Sequence, residues 1–205
     1  SPACVVKVIK REKTVLNAAW GTIEGNPATT ETLFDLASVT KLFTITAFLS
    51  LVSEGKVGLH DPLGAVIPEF IAVAPRGMDG GQDPHSKIRL PTPTELVGKT
   101  VDPTQVTFWH LLTHTSGLPA WRDVYNAAGD APSPPDQPMT ADARAWRWRR
   151  GLASLNTYPF VAPPDGVVRY SDIGLMLLGE AVARLDGGGL EAAVRRRVID
   201  RVGGT

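Results

Sequence analysis

At residues 34–41 the chain reads FDLASVTK, and an apolar segment that predicts a helix over about residues 39–54 follows directly. Within this stretch, Ser38 and Lys41 form a Ser-x-x-Lys pattern. Side chains three residues apart on a helix lie on one face, within about 5–6 Å of each other. A neutral lysine at that distance could take the proton of the serine hydroxyl and make the serine a nucleophile. The pattern also arises by chance, as a helix cap beside a solvated lysine, so its interpretation depends on other segments.

Two further segments carry residues that suit the same chemistry. Residues 167–174 read VVRYSDIG and bring Tyr170 and Asp172 to the start of a second predicted helix, and residues 110–119 read HLLTHTSGLP. In this order, the three segments resemble the serine β-lactamase and penicillin-binding-protein superfamily. The resemblance is strongest to the class C-like branch, which includes carboxylesterases, D-amino-acid-specific peptidases and acyltransferases. It extends from about Val5 to the C-terminus.

The resemblance implies a role for each matching residue. Ser38 matches the acylated nucleophile, Lys41 its activating partner, and Tyr170 the tyrosine that shares proton transfer with the lysine. Asp172 stands where the pattern most often has asparagine, and a carboxylate cannot donate the amide N–H that an asparagine offers to a substrate. Beside Lys41, this carboxylate would raise the lysine pKa and make the lysine a poorer base. We therefore expect Tyr170 to carry more of the base role.

The fold that the resemblance implies is α+β, with an antiparallel sheet, flanking helices and a helical subdomain. The β-like runs Cys4 to Ile9 and Val15 to Trp20 predict a hairpin that opens the sheet. The helix over residues 39–54 is apolar around so much of its circumference that it is predicted to be a buried central helix. Further helices are predicted over residues 108–112, 140–155, 173–185 and 190–202.

The resemblance also implies that residues 1–205 are the N-terminal and middle part of one catalytic domain. Members of the superfamily carry a later Lys- or His-led Thr/Ser-Gly element on an edge strand, and none follows Tyr170. The nearest similar dipeptide, Lys99-Thr100, lies before Tyr170 and lacks the glycine. We expect a second polypeptide chain to supply the remaining strands and this element. The Gly- and Pro-rich stretches 71–104 and 127–138 predict insertion-like loops.

The composition of the chain argues against some classes of partner but does not indicate a function. Lysine plus arginine and aspartate plus glutamate both number 21, so nothing points to a nucleic acid as partner. No run approaches the roughly 18 apolar residues of a membrane span. The one cysteine, Cys4, is predicted to be buried as a small apolar residue. The cellular compartment stays undetermined.

Three other groups of residues have competing interpretations. His110 and His114 are spaced like a metal-binding pair, but no third ligand is evident, so no metal is predicted. Trp121 and Tyr125 follow the Ser-Gly-Leu-Pro turn, and the sequence is compatible with two roles for them: packing in the core, or lining a hydrophobic acyl pocket on the substrate side. The tryptophans and arginines of residues 144–150 favour a helix with one buried tryptophan and a solvated arginine face over a nucleic-acid surface.

The sequence as a whole predicts a serine acyl hydrolase that acts through an acyl-Ser38 intermediate on a small ester, amide or lactam. Carboxylesterase or acyltransferase activity is favoured, and a β-lactamase or D-amino-acid-specific peptidase with the same residues is the alternative. A catalytically silent binding or scaffolding homologue is an alternative of another class. No metal or organic cofactor is implied.

Overall fold

The computed structural model describes residues 2–130 and 138–203, which divide after Val39 into two units. The first unit is an antiparallel sheet in the order β1 (Ala3–Lys10), β2 (Lys13–Ile23) and β3 (Asn26–Pro27). The β1–β2 register runs from Ala3 opposite Gly21 to Lys10 opposite Lys13. The two turn residues between these strands both have positive φ, which suits the twist of a tight hairpin. The predicted hairpin is confirmed.

The position of Cys4 differs from the prediction. Its side chain is exposed, not buried. The first unit contains this small sheet and one short 3-10 turn (Ala37–Val39), so it has no second layer of its own to cover both faces of the strands. Val15 and Trp20 on β2 are more than half exposed for the same reason.

Helices dominate the second unit. Its longest ones are α1 (Thr40–Ser53), α4 (Ala141–Leu155) and α5 (Asp172–Asp186), and its shorter ones are α2 (Phe108–Leu112), α3 (Val124–Ala127) and α6 (Leu190–Val194). Helix α5 contacts α1, α2, α4 and α6. The core around it contains Phe48, Leu51, Phe108, Leu111, Leu177 and Leu178. Antiparallel strands and packed helices confirm the α+β class.

Helix α1 begins and ends close to the predicted bounds, but it is not buried all round. Ala47, Phe48 and Leu51 are buried, whereas Leu42 is 62% exposed. The helix ends at Ser53, and Gly55 just beyond it has φ +70°, which lets the amide of Lys56 donate to the carbonyl of Leu51. Contacts with α5 and α6 account for the buried face, and the position of α1 as a buried central helix stays a prediction.

The two stretches predicted as insertion-like loops differ in what the structure describes. In residues 71–104, β4 (Arg76–Gly77) pairs antiparallel with β5 (Thr100–Val101). Arg76 is buried, with its guanidinium between the rings of Phe70 and Phe160. Of the second stretch, 127–138, residues 131–137 lie outside the described residues.

The last helices correct two further expectations. Within residues 144–150 of α4 the buried residue is Arg147, 6% exposed, while Trp146 and Trp148 are each more than a third exposed. Arg147 is satisfied there because its guanidinium donates to two main-chain carbonyls and lies over the ring of Tyr125. Helix α6 is shorter than predicted, and a π-helical turn (Arg195–Ile199) follows it.

Candidate active site

Lys41, Tyr170 and Asp172 lie together at the point where the first turn of α1 faces the start of α5. The Nζ of Lys41 is 2.7 Å from Oδ1 of Asp172, which makes the expected ion pair. The same nitrogen lies 4.9 Å from the centre of the Tyr170 ring and hydrogen-bonds with the Tyr170 side chain. About a fifth of the Lys41 side chain and half of Tyr170 are exposed, so a small molecule could reach both.

The pKa of Lys41 follows from these contacts. Burial lowers it, but the hydrogen bonds to Asp172 and Tyr170 and their charges outweigh burial, so the pKa is raised above the ordinary lysine value. The direction agrees with the effect expected of a carboxylate in the position usually occupied by asparagine. Lys41 is therefore an ammonium near neutral pH, and it holds its positive charge beside the tyrosine.

The helix cap at Ser171 sets the position of Asp172. The hydroxyl of Ser171 accepts from the amide of Gly174, which is the N-cap contact of α5, and donates to the carbonyl of Pro119. The amide of Asp172 donates to the carbonyl of Ala120. A carboxylate in the first turn of a helix also interacts favourably with the helix dipole. The dipole and the ion pair with Lys41 therefore both stabilise Asp172 in this position.

His114 holds the chain around Tyr170. Its carbonyl accepts from the amide of Arg169, and its Nδ1 accepts from the amide of Ser171, so the residues on both sides of Tyr170 are bonded to it. Its ring also packs on the Tyr170 ring, with 4.9 Å between ring centres. Nδ1 is an acceptor here, so Nε2 carries the proton of the neutral ring. Burial and then the charge of Lys41 lower the pKa of His114.

The role of His114 is the part of this site that the sequence analysis missed. The segment HLLTHTSGLP was associated with the tyrosine segment only through the resemblance. No local sequence pattern marked this role; in the structure His114 adopts the left-handed conformation, at φ +59°, which a histidine tolerates better than most residues. Such a position points to a residue that the surrounding structure needs.

His110 has partners different from those of His114. Its Nδ1 accepts from the amide of Thr107, which caps α2, so its Nε2 donates to Asp165 at 3.1 Å. Among the residues that the structure describes, no three His, Cys, Asp or Glu side chains gather as a metal-binding group.

The remaining predicted site residues lie elsewhere. Ser38 belongs to the first unit, in the 3-10 turn that precedes α1 along the chain. Trp121 is half-buried just before α3, and Tyr125 lies on α3 with its ring under the guanidinium of Arg147. Tyr125 thus contacts α4, and the pocket role predicted for Trp121 and Tyr125 stays a prediction.

Comparisons with known proteins agree on one family. A family model described as Beta-lactamase matches residues 1–205. Esterase EstB of Burkholderia gladioli is 33% identical over 184 residues, which cover 87% of this chain and 39% of the esterase. Protein Rv1367c of Mycobacterium tuberculosis is 32% identical over 181 residues, with 88% of this chain and 40% of that protein covered.

Solved structures share the fold at lower identity. EstCE1, described as a hydrolase with promiscuous acyltransferase activity, aligns with a TM-score of 0.67 at 21% identity, over 98% of this chain and 47% of EstCE1. The D-amino acid amidase of Ochrobactrum anthropi aligns with a TM-score of 0.61 at 21% identity, over 98% of this chain and 45% of the amidase.

Two further facts concern the extent of the match and the helices of the chain. It spans about two-fifths of the length of the curated relatives it matches. In the ranges that the structure describes, no helix is both long enough and apolar enough to cross a membrane.

Proposed function

The chain belongs to the Beta-lactamase family, and on this premise we propose that it forms part of a serine acyl hydrolase that works through an acyl-Ser38 intermediate. The observation that carries the proposal is the contact of Lys41 with both Tyr170 and Asp172. A cation held beside a half-exposed tyrosine is the arrangement that a proton-transfer pair needs. Ser38 is three residues from Lys41 along the chain.

In the proposed reaction, the Ser38 hydroxyl oxygen attacks the substrate carbonyl carbon. Tyr170 accepts the serine proton on its phenolate oxygen, and the adjacent Lys41 ammonium would stabilise the phenolate form that can accept it. When the bond from the carbonyl carbon to the leaving group breaks, Tyr170 returns the proton to the leaving group. Water, or an acceptor alcohol, then attacks the acyl-Ser38 ester by the same proton route and frees the serine.

The choice of Tyr170 rather than Lys41 as the base rests on the charge of the lysine. A lysine whose pKa is raised by a carboxylate at 2.7 Å is protonated near neutral pH and cannot accept a proton. The residue at position 172 therefore decides which member of the Lys41–Tyr170 pair acts as the base. Asp172 orients the ammonium, and Tyr170 transfers the proton.

We propose carboxylesterase or acyltransferase activity as the reaction, with a small ester as substrate. The similarity to an esterase at 33% identity, and to a hydrolase named for acyltransferase activity, supports this choice. Amide or lactam hydrolysis by the same residues is the alternative, supported by the likeness to a D-amino acid amidase.

We also propose that a second polypeptide segment completes the catalytic domain. Oxyanion stabilisation takes two donors, and the main-chain N–H of Ser38 would supply one of them. A Lys- or His-led Thr/Ser-Gly strand in the second segment would supply the other. The coverage of about two-fifths of the relatives supports this proposal.

The Lys41–Asp172 ion pair also favours a second candidate function, a homologue that binds ligands without catalysis. A permanently charged lysine is a poor general base. If Tyr170 does not replace it, Ser38 has no base at all. Covalent labelling of Ser38 separates this candidate from the enzyme.

The test uses protein that contains this chain together with the rest of the catalytic domain. A fluorophosphonate probe should add to Ser38, as seen by peptide mass spectrometry, and Ser38→Ala should abolish both the adduct and the hydrolysis of a short-chain nitrophenyl ester. Ser53→Ala, which removes an exposed hydroxyl on α1, is the matched control and should keep both. If the wild-type protein formed no adduct on Ser38, the proposal of an enzyme with a Ser38 nucleophile would be rejected.

A further inference from the structure

A second concave site lies between α3, α4 and α5. It is a cavity of about 330 Å³, and it shares no residue with the Lys41, Tyr170 and Asp172 site. Its volume falls in the range of small-molecule pockets. It is lined by Val124, Tyr125, Ala128, Met139, Arg144, Arg147, Trp148, Gly151 and Met176.

Most of the wall is apolar and adaptable. Met139 and Met176 bring two flexible thioether side chains to it, which fit irregular apolar ligands without a fixed shape. Trp148 adds an aromatic surface, and its ring nitrogen is directed to Glu180 instead of the cavity, since it donates to that carboxylate at 2.6 Å. The wall therefore suits an apolar chain or ring.

The polar part of the wall is positively charged. Arg144 donates to the carbonyl of Met139, and Arg147 donates to those of Gly129 and Tyr125. Arg150, on the same helix, likewise donates to the carbonyl of Ala128. Main-chain carbonyls satisfy hydrogen-bond donors but carry no net charge, so these cations are not neutralised by their partners.

Six other arginines differ from these three in their partners, whereas Arg76, which donates to the carbonyls of Asn156 and Tyr158, resembles them. In residues 2–130 and 138–203 the arginines that form ion pairs with carboxylates are Arg89, Arg122, Arg184, Arg195, Arg196 and Arg197. In those ranges Arg144, Arg147 and Arg150 form none. Within the described residues none of the four arginines of α4 forms an ion pair, and two of them, Arg144 and Arg147, lie in the wall of an apolar cavity, where an anion with an apolar body gains both contacts.

We propose that this cavity binds an apolar monocarboxylate, with the chain or ring of the acid among the methionines and Trp148 and its carboxylate at the guanidinium of Arg144. Arg144 is the exposed arginine of the two in the wall, so its remaining N–H groups are open to a ligand, whereas Arg147 is buried against Tyr125. The proposal does not depend on the acyl-transfer reaction, because none of the lining residues takes part in the proposed proton transfer and Tyr125 is the one among them for which an acyl-pocket role was also predicted.

The test is calorimetric titration, with hexanoate, octanoate and decanoate, of protein that contains this chain together with the rest of the catalytic domain. Affinity should rise about fourfold for each added methylene, as apolar burial predicts. Arg144→Gln should weaken octanoate binding about tenfold, the effect expected of a lost charged hydrogen bond. Octanol, which has the same body without the charge, should bind more weakly than octanoate and should be insensitive to Arg144→Gln.

Arg149→Gln is the matched control. Arg149 is exposed on the same helix as Arg144 but does not line the cavity. Arg149→Gln therefore removes the same charge from a neighbouring position on α4, and the variant should bind octanoate like the wild type. Equal weakening by both variants would mean a diffuse charge effect and would overturn the site. Absence of saturable binding of any of the three acids, or equal affinity for octanol and octanoate, would overturn it as well.

Discussion

The second unit holds its cations in two contrasting ways. At the start of α5, Lys41 lies 2.7 Å from a carboxylate oxygen of Asp172. On α4, Arg144 lies 2.7 Å from the main-chain carbonyl of Met139, and Arg147 is likewise bonded to carbonyls. Both arrangements satisfy hydrogen-bond donors, but only the first neutralises the charge.

The difference indicates what each site can bind. A cation paired with a carboxylate is fixed in its charged form and can orient a neighbouring group, but it has little attraction left for an external anion. A cation paired with carbonyls keeps its attraction for an anion. The α5 site is therefore suited to positioning and proton transfer, and the α4 cavity to binding a negatively charged molecule.

Lys41→Met gives the largest expected effect, because it breaks the first arrangement. It removes the ammonium that orients Tyr170 and leaves Asp172 without its ion-pair partner. In protein that includes the rest of the catalytic domain, nitrophenyl ester turnover should fall by about 10²–10⁴-fold, as for other proton-transfer groups. Lys56→Met, which removes an exposed lysine paired with Glu54, is the control and should keep turnover. A near wild-type rate in Lys41→Met would contradict the proposed role.

Asp172→Asn replaces the carboxylate beside Lys41 with a neutral carbonyl acceptor, as three arginines of α4 have. The asparagine can still accept a hydrogen bond from Lys41, but it no longer adds the charge that raises the lysine pKa. Without that charge the coupled Lys41–Tyr170 pair holds its protons less tightly, so the acid limb of the rate profile, where the pair loses the proton that leaves Tyr170 able to accept the serine proton, should move to lower pH. Asp165→Asn, at an exposed carboxylate bonded to His110, should leave the limb in place. An unchanged limb in Asp172→Asn would mean that the carboxylate does not control the lysine.

The two regions were predictable from the sequence to different extents. The pairing of Lys41 with Asp172 was predicted because the two segments that carry them resemble, in this order, those of a known family; each segment is recognisable locally, but their contact followed only from the resemblance. The burial of Arg147 did not, because it depends on carbonyls of Tyr125 and Gly129 that α3 brings to α4 from about twenty residues away. The arginine pattern of α4 looked solvent-facing, since arginine is rarely buried without a carboxylate. The hairpin and most helix bounds followed from periodicity and capping residues, whereas burial of α1 depended on contacts that no local pattern encodes.

His114→Phe tests how firmly the first site is positioned. It keeps an aromatic ring against Tyr170 but removes the acceptor of the buried Ser171 amide, so the free energy of unfolding should fall by about 1–3 kcal/mol in a denaturant titration. His114→Asn, whose side chain can accept and which tolerates positive φ, should lose less. His85→Gln, in an exposed loop, should lose nothing measurable. Equal losses in His114→Phe and His114→Asn would mean that ring packing, and not the Nδ1 contact, holds the loop.

The same variant has a pH signature. The pKa of His114 is lowered in the folded protein, first by burial and then by Lys41, while Asp172 opposes the shift. Folding therefore favours the neutral ring, and its contribution to stability is present above the ordinary pKa of 6.5 and lost as pH falls below that value. The fall in stability below this pH should be smaller in His114→Phe. An identical slope in both proteins would assign the pH dependence to other groups.

Arg144→Gln should have the smallest effect on folding, and this sharpens the contrast between the two regions. The free energy of unfolding should stay within about 0.5 kcal/mol of the wild type. Arginine and glutamine have similar helix propensities, and Arg144 is exposed, with one hydrogen bond to the carbonyl of Met139. It also lies in the first turn of α4, where a positive charge opposes the helix dipole, so its removal offsets part of the lost contact. A loss above about 1 kcal/mol would mean that this arginine stabilises the fold as Lys41 stabilises its site, and the α4 charge would then be structural.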